Sequence, residues 1–435
     1  MAMRPNLMQQ KQDATEARLA VLGDPPATGW SASSRQAAHE RLVQQGLPHA
    51  RDEYWRFIRP TGLTEAQAAP APVFTHSDTS AFDEIDRLRL VFVDGIFDAD
   101  ASDDAAMEGV QIDRLAEVAE TDIHWAQGLY GTLEEAGQTP VPRPLAALNT
   151  AYASDGVLIH VTGKPSRPIS LIYRRDREDS EDSDVILHHV VKVDAGAEVT
   201  LMENGPAAAR LNTVLEVYIA DGARFHHVRA QGRDHQRQAA THLFARLGEK
   251  STFKSFTLTA NGKLTRNECV IELTGDDATA HVAGACVGDG DFVHDDTVFI
   301  IHDALNCESR QVFKKVLRNG ATGVFQGKIL VKEGAQKTDG YQISQSLLLD
   351  GDSQFLAKPE LEIYADDVAC SHGSTSGAID EDALFYLRSR GVPEESATNL
   401  LTLAFLAEAV SEIEDEALAA DVLKRVESWL ERHRS

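Results

Sequence analysis

Cysteine is scarce in this chain. Four cysteines occur among 435 residues, at positions 269, 286, 307 and 370, and no two of them form a Cys-x-x-Cys pair. This spacing fits neither a zinc ribbon nor a disulfide framework, and it suits a reducing compartment. The first ten residues lack the apolar core of a signal peptide, and no run of 18 apolar residues occurs. We therefore expect a cytoplasmic protein without a membrane span.

Positive charge is also in short supply. The chain carries 42 Lys and Arg against 68 Asp and Glu, which gives a formal net charge of −26. A chain this acidic repels phosphate backbones and anionic lipid surfaces. Nucleic acid and membranes are therefore not expected partners. One locally basic stretch runs from Arg310 to Lys337. We interpret it as a solvated face rather than an anion-binding patch.

Familiar catalytic motifs are missing. The sequence has no P-loop, no dinucleotide-binding glycine motif, no nucleophile elbow and no His-Glu-x-x-His, so the matching enzyme chemistries are not expected. Adjacent histidines stand at 188–189 and 226–227 in strand-like runs. Because neighbouring side chains of a strand face opposite ways, we predict one buried and one exposed member in each pair.

From about residue 155 the sequence becomes rich in short β-prone runs separated by turn residues. Gly196, Gly222, Gly248 and Gly275 lie 26, 26 and 27 residues apart, and each precedes such a run. Fixed spacing of this size is typical of repeat proteins, whose stacked coils bury one continuous core. The sequence therefore predicts a β-solenoid with two or three short strands in each coil. The period becomes irregular after Gly275.

Helical patterns flank the β-rich part. Residues 1–60 and 111–136 look helical, and Arg89–Phe97 is typical of a hairpin with an Asp-Gly turn. From Asp380 the chain carries capped helices with apolar stripes to its end. The sequence thus predicts a mainly β protein in three parts: an N-terminal helical region with short strands (1–150), a β-helix core (151–378) and a C-terminal helical domain (379–435).

A cysteine and a histidine stand where the β-rich part meets the C-terminal helices. Cys370 and His372 are two residues apart in an extended context, so both side chains should lie on the same side of a strand. Thiolate and imidazole are ligands for iron and other transition metals. The pair alone is weak evidence, because cysteine is often simply buried and histidine is often only a hydrogen-bond partner.

Several motifs around this pair follow the order found in one protein family. They are Ala321-Thr-Gly-Val-Phe-Gln-Gly-Lys-Ile329, Ala335-Gln-Lys-Thr-Asp-Gly-Tyr-Gln342, Lys358-Pro-Glu-Leu-Glu-Ile-Tyr-Ala-Asp-Asp-Val368, Cys370-Ser-His-Gly373 and Ala383-Leu-Phe-Tyr-Leu-Arg-Ser-Arg-Gly391. Together they resemble the SufB/SufD family of iron–sulfur cluster assembly proteins. Weaker similarity extends upstream, for example to Arg51-Asp-Glu-Tyr-Trp55. The Cys-Ser-His-Gly form looks like the SufD-type members, since SufB-type chains have Cys-Glu-His at the matching place.

The resemblance implies a fold and a role. The fold is a right-handed parallel β-helix between N-terminal and C-terminal helices. The role is that of a non-catalytic scaffold subunit in a complex with SufB and the ATPase SufC. The β-helices of SufB and SufD would pair near their C-terminal ends, and SufC would dock on the C-terminal helices. His372 would then face a SufB cysteine where a nascent, transiently held iron–sulfur cluster forms, with Cys370 as its near neighbour.

The residues alone leave other functions open. One is an acidic β-helix enzyme that acts on polysaccharide, with a cation bound by aspartates. Another is a metal-dependent enzyme that uses His294, Asp296 and His302, although a structural role for these residues is the favoured interpretation. The strand edges at the end of a solenoid can also self-pair into a homodimer. Whether Cys370 is a ligand, a sulfur relay or only a packing residue is undecided at this point.

Overall fold

The computed structural model describes residues 6–72, 81–175, 183–205, 208–232 and 236–433. The helices are α1 (Leu7–Leu22), α2 (Ala32–Gln45), α3 (Thr61–Thr64), α4 (Leu115–Val118), α5 (Thr132–Ala136), α6 (Pro144–Tyr152), α7 (Glu381–Ser389), α8 (Glu394–Val410) and α9 (Glu416–Arg432), with a 3-10 turn at Glu53–Trp55. The strands are β1 (Leu88–Val93), β2 (Ile96–Asp98), β3 (Val110–Arg114), β4 (Val157–Val161), β5 (Ile169–Arg174), β6 (Asp184–Val193), β7 (Glu198–Asn204), β8 (Arg210–Ile219), β9 (Arg224–Gln231), β10 (Gln238–Leu247), β11 (Thr252–Ala260), β12 (Leu264–Leu273), β13 (Thr279–Asp289), β14 (Val293–His302), β15 (Glu308–Arg318), β16 (Thr322–Val331), β17 (Asp339–Leu348), β18 (Gln354–Ile363) and β19 (Ala369–Gly377).

Successive strands alternate between two sheets. One sheet has the order β19-β17-β15-β13-β11-β9-β7-β5-β1-β2, and the other has the order β18-β16-β14-β12-β10-β8-β6-β4-β3. Strands β4 to β19 pair in parallel with the strand of the same sheet one coil away. Each coil therefore gives one strand to each sheet, and apolar side chains from both sheets form a continuous core between them. The predicted mainly β solenoid with flanking helices is confirmed, with about seven turns.

The coils grow longer toward the C-terminal end. The register pairs Gln238 with Leu264, which lies 26 residues further on. By the end of the same sheet it pairs Thr322 with Gln354, a separation of 32 residues. The repeat continues in space after Gly275 even though its period in the sequence is lost, because each later coil has extra residues in its turns.

The turns between the two strands of a coil contain a residue with a left-handed backbone. Gly196 and Gly222 occupy this position with φ of 70° and 66°, but Lys250 and Asn306 occupy it in later coils with φ of 54° and 58°. Each of these residues donates its backbone N–H to a carbonyl in the turn of the next coil. That bond holds the turns in register even where a residue with a side chain adopts a conformation that favours glycine.

Outside the solenoid the helix predictions are mixed. The hairpin is confirmed, because β1 and β2 pair antiparallel through Asp94-Gly95. The helix predicted over 111–136 is wrong for most of its length. Its start is β3, which pairs antiparallel with β4, because Val110 and Ile112 pack on the solenoid core. At the other end of the chain, the Asp380 carboxylate caps α7 by accepting a hydrogen bond from the Ala383 N–H at 3.0 Å.

The helices α8 and α9 cover the outer face of the ten-stranded sheet. Leu406 and Trp429 are buried there in one cluster with side chains of that sheet. Lys314 of β15 lies beneath α8 with its Nζ 2.5 Å from a Glu408 carboxylate oxygen. The solvated-face interpretation of the basic stretch is therefore wrong for Lys314 and also for Lys315, which is buried and ion-paired. Among the described residues no helix is long and apolar enough to cross a membrane.

The N-terminal helices cover the outer face of the nine-stranded sheet. His188 of β6 is buried beneath these helices, and His189 is buried on the inner face, where its Nε2 is 3.1 Å from the Tyr173 hydroxyl. The prediction of one exposed member is therefore wrong for this pair. His188 stacks against Tyr130, with ring centroids 4.1 Å apart. In the second pair His227 is buried and His226 only partly so, which agrees with the prediction for His227 alone.

Candidate functional site

Cys370 and His372 lie on β19, the outermost strand of the ten-stranded sheet. The register places them beside Gly340 and Gln342 of β17, and both of those residues are buried. Cys370 and His372 therefore share the strand face that continues the inner wall of the solenoid, as their spacing predicts. No further coil covers this face in the part of the chain that the structure describes.

The Cys370 side chain is half-buried. It packs against the small apolar cluster that fills the last coil, which includes Ile329 and Val331. A Cβ atom on Gly340 would lie 3.2 Å from the Cys370 Sγ, so the glycine leaves room for the sulfur atom. Burial raises the pKa of the Cys370 thiol, with a smaller contribution from Asp339. The free chain therefore holds Cys370 as a sheltered, neutral thiol.

The His372 side chain is in a different environment. It is exposed, and within the described residues it makes no hydrogen bond or ion pair. Its neighbour in the preceding coil, Gln342, is instead held in the wall by donating to the Gln311 side chain at 2.9 Å. Both imidazole nitrogens of His372 are thus available to a ligand or a partner that approaches the end of the solenoid.

The end of the solenoid is open. Both β18 and β19 are the last described strands of their sheets, so each has a hydrogen-bonded neighbour on one side only. The chain leaving β18 exposes 39% of Ile363 and 62% of Tyr364. We call the free edges of β18 and β19, with Cys370, His372 and these two apolar residues, the open end. Unpaired strands of about ten residues are ready to pair with another chain.

A second exposed apolar surface lies on the C-terminal helices. In α7 every side chain is at least partly exposed, and Phe385 and Tyr386 expose 74% and 55% of their surface. Leu400 of the neighbouring α8 is 51% exposed. We call these three exposed residues the α7–α8 patch. Exposed aromatic side chains are typical of protein-binding surfaces.

The proposed His/Asp metal centre is not assembled. The His294 Nε2 is 3.4 Å from an Asp296 oxygen, but the Lys315 ammonium group contacts both side chains, 3.0 Å from the His294 Nδ1 and 2.5 Å from the other Asp296 oxygen. The imidazole of His302 is 2.8 Å from the Ser309 hydroxyl instead. Among the described residues no group of three or more His, Cys, Asp or Glu side chains could hold a metal ion. The side chains of His294, Asp296 and His302 instead contact other polar side chains inside the protein.

Two distant motifs meet beside the open end, which sequence reasoning did not anticipate. The 3-10 turn of the Arg51–Trp55 motif lies on the outer face of β18. The part of β18 that it contacts belongs to the motif that starts at Lys358. The Lys358 Nζ is 2.8 Å from a Glu53 carboxylate oxygen and 3.9 Å from the centre of the Tyr54 ring. The Tyr54 hydroxyl donates a hydrogen bond to Glu360. The only sequence signal for this contact was that both motifs belong to the same resemblance.

Comparison with known proteins gives the same family along almost the whole chain. Residues 176–405 match the model of the SUF system FeS cluster assembly SufBD core domain, and residues 27–169 match that of the SufBD protein N-terminal region. The chain is 28% identical to the iron–sulfur cluster assembly protein SufD of Escherichia coli, over 92% of this chain and 93% of that protein. It is 28% identical to a SufBD family protein of Synechocystis over 88% and 87% of the two chains. It is 25% identical to the chloroplastic protein ABCI7 of Arabidopsis thaliana over 88% and 84%. The chain therefore belongs to the SufBD family of iron–sulfur cluster assembly proteins.

Proposed function

We propose that the chain is a SufD-like scaffold subunit for iron–sulfur cluster assembly in the cytoplasm. The observation that carries this proposal is the open end of a SufBD-family core, which presents a sheltered thiol and a free imidazole on an unpaired strand. The subunit pairs there with the β-helix of a SufB-like partner. It is a non-catalytic subunit, and a separate SufC-like ATPase supplies ATP hydrolysis.

The nascent cluster is the cargo of this assembly. His372 supplies an imidazole nitrogen and the partner supplies a thiolate, a combination that suits iron in a cluster. Cys370 lies two residues away on the same face, with its sulfur against the core of the last coil. A site divided between two subunits opens when the subunits separate, so a labile cluster is released without dismantling a closed cage of ligands.

The α7–α8 patch is the docking surface for the ATPase. Its support is the exposure of Phe385 and Tyr386, together with the firm attachment of α8 to the solenoid through Lys314 and Glu408. A helix anchored in this way transmits a movement of the ATPase to the ten-stranded sheet. That sheet ends in β19, which carries His372.

The first experiment is affinity purification of the tagged full-length chain from its own cells, followed by mass spectrometry. We expect two partners, an ATPase and a second β-helix protein. Recovery of neither would refute the scaffold role. Turnover of a polysaccharide by the purified chain alone would favour an enzyme instead.

The second experiment tests the role of His372. The variants His372→Ala and His372→Cys are compared in cluster reconstitution with the purified complex, followed by visible absorption. We expect His372→Ala to lower the cluster yield at least fivefold and His372→Cys to restore part of it, because a thiolate is also an iron ligand. The control is His160→Ala, because His160 lies on β4, at the opposite end of the solenoid. An unchanged yield with His372→Ala would remove this residue from the site.

A further inference from the structure

One tyrosine of the N-terminal region touches four consecutive strands of the nine-stranded sheet. The Tyr54 carbonyl oxygen accepts hydrogen bonds from Arg266 of β12 at 2.8 Å and from Gln326 of β16 at 3.0 Å. Its ring packs edge-to-face on Phe299 of β14, with centroids 5.2 Å apart. Its hydroxyl donates to Glu360 of β18. Neighbouring strands lie about 4.8 Å apart, so this single residue bridges roughly 14 Å of the stack.

Some contacts of Tyr54 are with buried side chains, and its hydroxyl contacts β18 at the open end. Arg266, Phe299 and Gln326 are each no more than 2% exposed, so they form a rigid base. Burial raises the pKa of the Tyr54 hydroxyl, and the bond to Glu360 raises it further, so the hydroxyl stays protonated and donates. A hydrogen bond to a carboxylate is among the stronger kinds in proteins.

The strand that receives this bond is the last described strand of its sheet. β18 has one hydrogen-bonded neighbour among the described strands, β16, and its other edge is free. Edge strands without a second neighbour open locally more easily than central strands. A contact from outside the stack therefore has its largest effect on β18.

We propose that Tyr54 is a positioning residue that ties the N-terminal region to the last coil and fixes β18 in the geometry that a partner β-helix meets. This inference rests on the proposed function for the identity of the partner, but not for the restraint itself. Glu53 and Lys358 assist, since their ion pair at 2.8 Å closes the same contact beside the Tyr54 ring.

Hydrogen–deuterium exchange on the full-length chain tests the restraint without any partner. Tyr54→Phe keeps the ring and the backbone carbonyl and removes only the bond to Glu360. We expect exchange of peptides from residues 354–363 to rise about tenfold, with peptides from β6 and β8 unchanged. Glu360→Ala should have the same effect, and Glu360→Gln, which keeps an acceptor oxygen, should have a smaller one.

The matched control is Tyr152→Phe. The Tyr152 hydroxyl is 2.8 Å from the His39 Nδ1, so this variant also removes one tyrosine hydrogen bond in the N-terminal part of the chain. We expect no change in residues 354–363. Equal exchange in Tyr54→Phe and the natural chain would overturn the proposal, as would a uniform rise over the whole solenoid.

Partner capture separates this inference from the proposed function. The tagged Tyr54→Phe chain should recover several-fold less of the second β-helix protein and the same amount of ATPase. Full recovery of both by a chain whose β18 exchanges faster would overturn the positioning role. If the natural chain itself captures no β-helix partner, the proposed function fails, and the exchange experiment still decides whether Tyr54 restrains β18.

Discussion

Lys315→Met should strongly destabilise the solenoid. The Lys315 ammonium group is buried between the two sheets, 2.5 Å from an Asp296 oxygen and 3.0 Å from the His294 Nδ1. Methionine keeps the length of the side chain and removes the charge. Asp296 then keeps a hydrogen bond from Asn267 at 3.0 Å and the His294 Nε2 at 3.4 Å, but it has lost its lysine partner. Removing one partner of a buried ion pair typically costs about 3–5 kcal/mol, and we expect a loss in this range.

The pH dependence of this loss gives a second test. Burial raises the pKa of Asp296, but the attraction of His294 and Lys315 outweighs it and holds that pKa below the usual range. A carboxyl group with a lowered pKa stabilises the fold above its unfolded pKa of about 3.9, and this stability is lost as the pH falls through the folded value. Without Lys315 the pKa of Asp296 rises. The carboxyl group can then take up a proton in mild acid, so the variant should be penalised less at pH 5 than at pH 7.5.

Urea unfolding of the natural chain, Lys315→Met, Asp296→Asn and the double variant measures the coupling between the two groups. The double variant leaves no buried charge without a partner, so it should recover at least half of the loss. Additive effects of the two single changes would refute the reasoning. A loss below about 1 kcal/mol for Lys315→Met would do so too.

Three further predictions follow from burial and exposure. Burial lowers the pKa of His302 to about 4, so the chain should lose stability as the pH falls from about 6.5 to 4. The variant His302→Gln should remove up to about 3 kcal/mol of that loss, as measured by urea midpoints across this pH range. Cys370 is half-buried and the other three cysteines are buried, so peptide mass spectrometry should find maleimide first on Cys370; earlier labelling of any other cysteine would contradict the packing described. Phe385→Asp should reduce capture of the ATPase at least tenfold with an unchanged urea midpoint, whereas Ile123→Asp, at a site that is 84% exposed in the N-terminal region, should leave capture intact.

The fold was largely accessible from the sequence because the repeat is local. Each coil needs a turn of fixed type, and Gly196 and Gly222 mark two of them. The repeat became harder to recognise in the sequence where Lys250 and Asn306 adopt the same backbone conformation and where the coils are longer. Prediction failed at His188 and His189, because strand alternation reveals which residues share a face but not whether a second layer of helices covers the outer one.

At the candidate site, too, the sequence pattern shows which residues share a strand face but not what surrounds them. Two-residue spacing was enough to place Cys370 and His372 on one face of a strand. It did not reveal that His372 is exposed, nor that Cys370 is sheltered, since room for the Cys370 sulfur depends on the absence of a side chain at Gly340 in the preceding coil. The bond from Tyr54 to Glu360 joins residues 306 positions apart, and no local pattern encodes such a contact.

The two ends of the solenoid are unequal, which limits how many chains can join edge to edge. At the first coil the described sheets finish in β2 and β3, which are three and five residues long and run antiparallel to their neighbours. At the last coil they finish in β18 and β19, ten and nine residues long. Short reversed strands make a poor template for a long parallel strand. Among the described strand edges, those of β18 and β19 therefore favour pairing with another chain, and those of β2 and β3 do not. An association through the edges of β18 and β19 would use the long free edges that the described part of each chain offers, so it favours a closed pair over a filament.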